Sequence, residues 1–292
     1  MSGAIMSFLF PPKCVFCGRP MGAGAELAVC GGCEGRIPFS GGVWLFESGA
    51  RGNPGGCDEA IGALAYKGVA RSALSRYKFA QRPEYGRTFA ALLCAKISRA
   101  AAERAAALGE AGNPRAAGAP GASGAPGMAW APAGPRAPSS HGWADGAAAL
   151  GEAGAARPAD LPGARFDAAG GLFDIVACVP LSRARARERG YNQAEVMARH
   201  VAEYFGRPFA GRLLRRRPEA LRQSGLQRRE RLPNARSAFA ADMAEAEKAG
   251  LGGKRVLLVD DIATTLSTLH ACARELKAAG AARVIGAVAA SR

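Results

Sequence analysis

The sequence predicts an α/β domain, a parallel sheet flanked by helices, with a small four-cysteine zinc finger at its N-terminal end. Three observations predict it. Leu172–Leu181 (LFDIVACVPL) and Arg255–Val259 (RVLLV) are short, nearly unbroken apolar runs, which suit parallel strands buried on both faces. After the second run, Leu266, Leu269, Ala273 and Leu276 recur at helical spacing until Gly280 gives a stop, so a strand feeds a helix. Cys14-x-x-Cys17 and Cys30-x-x-Cys33 are separated by twelve residues, a spacing that lets two knuckles share one tetrahedral zinc.

Composition bounds the rest. The chain has 292 residues, enough for one large domain or two smaller ones. Its formal net charge of +15, nearly all from arginine, points to polyanionic partners: nucleic acid, a pyrophosphate-bearing substrate or an anionic membrane surface. A genome biased toward Arg, Ala and Gly accounts for part of that excess. Ala4–Phe10 is apolar but far shorter than the ~20 residues of a spanning helix, and no cationic stretch precedes it, so neither a membrane span nor secretion is expected. Of eight cysteines, four lie in the two tight pairs, which in a cytosolic chain reads as metal.

In chain order, residues 1–40 form the zinc finger, with Gly18, Gly31 and Gly32 where knuckle turns need a relaxed backbone. Four cysteines leave no open position for catalysis, so the metal is expected to be structural. Residues 41–108 begin the α/β domain: a weak strand Val43–Phe46, a strand Ala60–Tyr66, a short basic helix Val69–Phe79 and an alanine-rich helix Gly86–Ala107. Cys57 reads as a lone thiol. Lys78 either meets a pyrophosphate or is a solvated cation at a helix end. Residues 109–165, rich in Ala, Gly and Pro, cannot bury enough surface to offset their ordering entropy and read as a disordered insertion. Within it, Trp130 and Trp143 are either base-stacking aromatics or incidental linker residues.

Residues 166–292 form the core. Arg183, Arg185, Arg187 and Arg189 alternate directly after the LFDIVACVPL strand, in what reads as a basic loop before a helix from about Asn192 to Tyr204. In an open α/β sheet ligands gather beyond the C-terminal strand ends, so this loop and the acidic pair Asp260–Asp261 should face one crevice. Gly211–Phe239 is the most basic region, broken by Pro218 and Gly225, and reads as a mobile loop or ribbon. A polar, alanine-rich stretch follows, and Ala282–Ala290 closes the chain as a strand. Where RVLLV leaves the sheet, Asp260 and Asp261 are followed by Thr264, Thr265, Ser267 and Thr268. Strand, acidic pair, hydroxylated turn and helix make a site suited to a phosphorylated sugar: N–H groups at the helix start attract phosphate, and carboxylates accept from sugar hydroxyls. His141, His200 and His270 are isolated and are assigned no role.

RVLLVDDIATTLST resembles the phosphoribosyl-pyrophosphate (PRPP) signature of type I phosphoribosyltransferases. With the N-terminal finger, the Lys78–Phe79 step, VPLSRARARERGYNQ and LRQSGLQRRERLPNARSAF, the chain resembles the ComF family over residues 8–105 and 172–292. The resemblance implies that Asp260 and Asp261 take the ribose hydroxyls and that Thr264, Thr265, Ser267 and Thr268 take the 5′-phosphate. It places Arg183, Arg187 and Arg189 on the pyrophosphate with its magnesium, and Gln223, Arg228, Arg231 and Asn234 on a loop that closes over PRPP or lies along DNA. Leu266 departs from the pattern, standing where the family usually has glycine. Leucine discourages both a positive φ and close approach of phosphate to backbone. Two functions follow from the resemblance: a cytoplasmic competence protein that handles incoming single-stranded DNA alongside DNA-uptake machinery, or a PRPP-dependent transferase with an unidentified acceptor.

Overall fold

The computed structural model describes residues 12–22, 27–41, 44–47, 56–111, 171–217 and 238–292. The 109–165 insertion with Trp130 and Trp143, apart from its first three residues, and the loop residues Gln223, Arg228, Arg231 and Asn234 lie outside them.

The elements run α1 (Gly31–Glu34), β1 (Trp44–Glu47), β2 (Glu59–Ala65), α2 (Gly68–Phe79), α3 (Tyr85–Ala111), β3 (Ile175–Cys178), α4 (Arg183–Arg189), α5 (Gln193–Phe205), β4 (Leu214–Arg216), β5 (Phe239–Ala241), α6 (Met243–Lys248), β6 (Arg255–Ala263), α7 (Ser267–Ala278) and β7 (Arg283–Ser291). The main sheet has the order β1-β2-β7-β6-β3. Its β2–β7, β7–β6 and β6–β3 pairs are parallel, while β1 joins the edge antiparallel to β2. A separate two-stranded antiparallel ribbon, β4–β5, accompanies it.

The apolar runs are buried on both faces because alternate side chains feed different cores. Leu257 and Val259 belong with Val176 and Ile285 on the face covered by α2, α3 and α5. Val256 and Leu258 join Ile175, Leu213, Phe239 and the α7 residues Leu269, Cys272 and Leu276 on the other. At the open end of the sheet Asp174 takes the Arg255 guanidinium at 2.7 Å and 3.0 Å and accepts from the Arg255 backbone N–H at 2.9 Å. That contact holds the Asp174 carboxyl down at about 2. On the first face Gly86 is required by packing: a Cβ there would stand 2.5 Å from Val196 Cγ1 and 2.6 Å from the Tyr77 hydroxyl.

Several sequence expectations are corrected. The basic stretch 183–189 is a helix, not a loop. Arginine and alanine are good helix formers, the Ser182 hydroxyl caps the start by accepting from Arg185 N–H at 3.3 Å, and Gly190 ends it at φ 76°. The strand expected over 172–181 is confined to Ile175–Cys178, and the polar, alanine-rich stretch after Phe239, for which the sequence predicts no element, holds the end of β5 and α6. β6 does not leave the sheet at the acidic pair: its pairing with β3 stops at Val259, but pairing with β7 continues through Asp260 to Ala263.

Candidate active site

Three clusters emerge: four thiols, an acidic pair with the turn after β6, and the arginines of α4. The thiol cluster comes from the N-terminal knuckles. Gly18 at φ 77° closes the first turn, its N–H donating to Cys14 O at 2.8 Å, and Cys33 N–H donates to Cys30 O at 2.8 Å in the second. The sulfurs of Cys14, Cys17, Cys30 and Cys33 lie within 4.8 Å of one another, so the four could hold a metal ion. Burial raises the Cys14 thiol, but backbone N–H groups of Cys30, Cys17 and Phe16 outweigh it and bring it down to about 7. Cys30 and Cys33 are pushed up, first by burial and then by neighbouring sulfurs. Four thiolates so close repel unless a cation lies among them. The knuckle is not a separate body: Cys14, Val15, Phe16 and Cys33 are buried in the core that covers the first sheet face.

The second cluster is the acidic pair with the turn after β6. Asp261 N–H donates to Asp260 Oδ1 at 2.8 Å, and Asp261, 8 % exposed, meets Lys78 Nζ through Oδ2 at 3.0 Å. Lys78, expected either to meet a pyrophosphate or to be solvated at a helix end, is paired with a carboxylate brought from the far end of the chain. Burial, then the Asp261 charge, push the Asp260 carboxyl up to about 7, against the pull of Asp261 N–H, Lys78 and Arg189.

Beyond the pair, Thr264, Thr265, Ser267 and Thr268 are exposed around an open cradle lined by Asp260 and residues 262–269. The Thr265 and Ser267 hydroxyls are 2.9 Å apart. Leu266 caps α7 in the left-handed region at φ 52°, ψ −2°. Leucine discourages this conformation, and the turn adopts it nonetheless. Its side chain packs partly buried against the second core, and His270 N–H donates to Leu266 O at 2.9 Å, so packing holds a backbone that local energetics disfavour.

The third cluster is α4. Arg183, Arg185 and Arg187 are exposed, whereas Arg189 is 9 % exposed and turns inward. Its Nη1 donates to Gln193 Oε1 at 3.2 Å, its guanidinium lies 5.2 Å from the Phe79 ring centroid, and its Nε has no partner among the described residues. Arg189 is the α4 arginine whose charge bears on Asp260. The structure thus brings together Asp260, Asp261 and Lys78, with the hydroxylated turn alongside, sets Arg189 against Phe79, the residue after Lys78, and leaves Arg183 and Arg187 facing solvent. Sequence reasoning missed Tyr77, Tyr191 and Gln193, which bridge α2 to the start of α5. Tyr77 Oη donates to Gln193 O at 2.9 Å, and Tyr191 Oη donates to Tyr77 O. The helical recurrence of Ala70, Ala73, Leu74 and Tyr77 marks Tyr77 as inward-facing; Gln193 carries no such signal.

With this arrangement in view, comparison with known proteins is specific. A family model described as a phosphoribosyl transferase domain matches residues 191–292. Competence protein F of Haemophilus influenzae is 32 % identical over 102 residues, 35 % of this chain and 43 % of that protein. Competence protein ComFC of Bacillus subtilis is 33 % identical over 108 residues, 37 % of this chain and 40 % of that protein. The chain is ComF-like. The matches span less than half the length of either curated relative. A solved structure titled as the allosteric regulatory enzyme of purine biosynthesis aligns over 40 % of this chain and 22 % of its own at 24 % identity and a TM-score of 0.28, too distant to argue from. The ComF-like chain has the α/β fold of a phosphoribosyltransferase-type domain, with helices on both sheet faces. Among the described residues no helix is long and apolar enough to cross a membrane.

Proposed function

We propose that this chain is a ComF-like competence protein whose transferase-type domain binds PRPP with magnesium and which handles single-stranded DNA in the cytoplasm, together with DNA-uptake machinery. The observation that carries the sugar-phosphate part is the acidic pair, fixed by β7 pairing beside a turn already in the left-handed geometry at Leu266. In this reading Asp260 and Asp261 accept from the ribose hydroxyls, and Thr264, Thr265, Ser267, Thr268 and the start of α7 receive the 5′-phosphate. Arg189 faces the pyrophosphate from the buried side, with Arg183 and Arg187 supplying charge at the rim. Magnesium neutralises the pyrophosphate, and the half-buried Asp260 is the carboxylate closest to being recruited by such a cation. The four cysteines hold a structural zinc that contributes folding energy.

The DNA part is supported by the names of the two relatives, by the net charge of +15 and by the exposed Arg183, Arg185, Arg187, Arg212 and Arg215. A thermal-shift titration tests both parts. Magnesium–PRPP should raise the melting temperature, and Asp260→Asn with Asp261→Asn should abolish the shift. Affinity for a short oligodeoxynucleotide should fall steeply with salt. No shift with magnesium–PRPP, or a flat salt dependence, would remove the corresponding half.

A further inference from the structure

Helix α2 touches the cysteine site and the acidic pair with side chains two residues apart. Arg76 Nη2 donates to Val15 O at 2.8 Å and to Phe16 O at 2.6 Å, the two carbonyls enclosed by the Cys14-x-x-Cys17 turn. Lys78 Nζ reaches Asp261 at 3.0 Å. Between them Tyr77 is buried, its ring 5.4 Å from Phe89, which meets Phe16 edge-on at 6.3 Å. Just beyond, the chain leaves α2 through Gln81 at φ 48°, which with Leu266 is one of two non-glycine residues with positive φ among those described.

We propose that Arg76 is a positioning residue through which the metal-loaded knuckle holds Lys78 on Asp261. This rests on the acidic pair being the ligand site, and it adds a link between that site and the cysteines. The physical basis is the convergence of two carbonyls on one guanidinium nitrogen. The turn that presents them is closed by Gly18 N–H on Cys14 O and Cys14 N–H on Arg19 O, both at 2.8 Å, and a metal held by Cys14 and Cys17 would fix it further. Without a metal to tie Cys14 and Cys17 to one centre the turn relaxes, and Arg76 loses one or both acceptors. The C-terminal end of α2 then keeps its apolar contacts at Tyr77 but loses the polar fixation on the side opposite Asp261. Tyr191 Oη on Tyr77 O and Gln193 Nε2 on Lys78 O at 3.5 Å still hold the helix from the α5 side, and a lysine side chain has enough rotamer freedom to leave a carboxylate once the knuckle side of its helix is released.

The test needs no sugar phosphate. Acylation of the full chain with an acetyl N-hydroxysuccinimide ester, read by mass spectrometry, compares Lys78 with exposed Lys254. The forms compared are the zinc-loaded protein, the chelator-stripped protein, and zinc-loaded Arg76→Gln and Arg76→Lys. Lys78 reactivity relative to Lys254 should rise about fivefold or more on stripping and in Arg76→Gln, and by less in Arg76→Lys, which keeps the charge but not the fork. An unchanged ratio in stripped or Arg76→Gln protein with native near-ultraviolet circular dichroism overturns the proposal. If stripping or Arg76→Gln unfolds the chain, zinc-loaded Arg76→Lys decides it alone. A second arm measures magnesium–PRPP affinity in Arg76→Gln, Lys78→Gln and the double variant. Arg76→Gln should weaken binding in the wild-type background and add nothing once Lys78 is gone; an equal loss in both backgrounds overturns the positioning role. If the wild-type chain binds no magnesium–PRPP, the ligand reading fails while the acylation arm still decides the role of Arg76.

Discussion

Lys78 Nζ lies 3.0 Å from Asp261 Oδ2, and this ion pair brings a neutralising charge to the acidic pair from α2. Its side chains are 19 % and 12 % exposed, so solvent screens it only in part. Lys78→Ala should therefore cost on the order of 1–2 kcal/mol in denaturant unfolding. The cost should be larger well above pH 7, where Asp260 is also charged, than near pH 5. Millimolar magnesium should restore part of it at the higher pH. Equal losses at both pH values would contradict this account of the pair.

Asp260 gives the molecule a pH dependence of definite sign. Its folded value of about 7 lies above the ordinary carboxyl value of 3.8, so the native state holds the proton more tightly than the unfolded chain. Its contribution to stability is therefore present in acid and is lost as pH rises from about 4 through 7. Cation binding runs the other way: magnesium–PRPP affinity should strengthen between pH 6 and 8 as the carboxyl ionises. Asp260→Asn should flatten both profiles, measured by melting temperature and by calorimetric titration.

Leu266 separates strain from packing. Leu266→Ala removes the contact with the second core and keeps a Cβ in the left-handed region, whereas Leu266→Gly removes the same contact and relieves the strain. The glycine variant should be the more stable of the two by about 1 kcal/mol, read from urea midpoints. It should also retain phosphate-dependent stabilisation, with affinity for magnesium–PRPP equal to or tighter than wild type.

Gly86 is a packing requirement. Gly86→Ala should destabilise by about 1–3 kcal/mol, since Val196 and Tyr77 must both shift. Tyr77 anchors the middle of the Arg76–Lys78 step, so the same variant should raise Lys78 acylation. A neutral urea midpoint would show that α3 and α5 have slack at their crossing.

Much of this was legible in the sequence, for identifiable reasons. β6 and α7 announce themselves because Leu257 and Leu258 lie in an unbroken apolar run and Leu269 and Leu276 follow a helix period that burial enforces. The cysteine cluster is legible because ligand spacing is a covalent constraint. Helix α4 was not, since Arg183–Arg189 has no apolar stripe and its signals are only the Ser182 cap and Gly190. The β4–β5 ribbon was hidden because three-residue strands carry too little pattern. Lys78 finding Asp261, and Arg76 finding Val15 and Phe16, are tertiary facts: nothing local to either end encodes the partner. At Leu266 a sound local rule lost to the fold around it.

The unequal reach of the two neighbours of β6 has one more consequence. Because β7 follows it four residues past the point where β3 stops, the two aspartates are mounted on a stiff ledge with one open flank. Their separation is settled when the chain folds, so an arriving sugar meets a template already cut to shape, and the cost of organising it does not recur with each encounter.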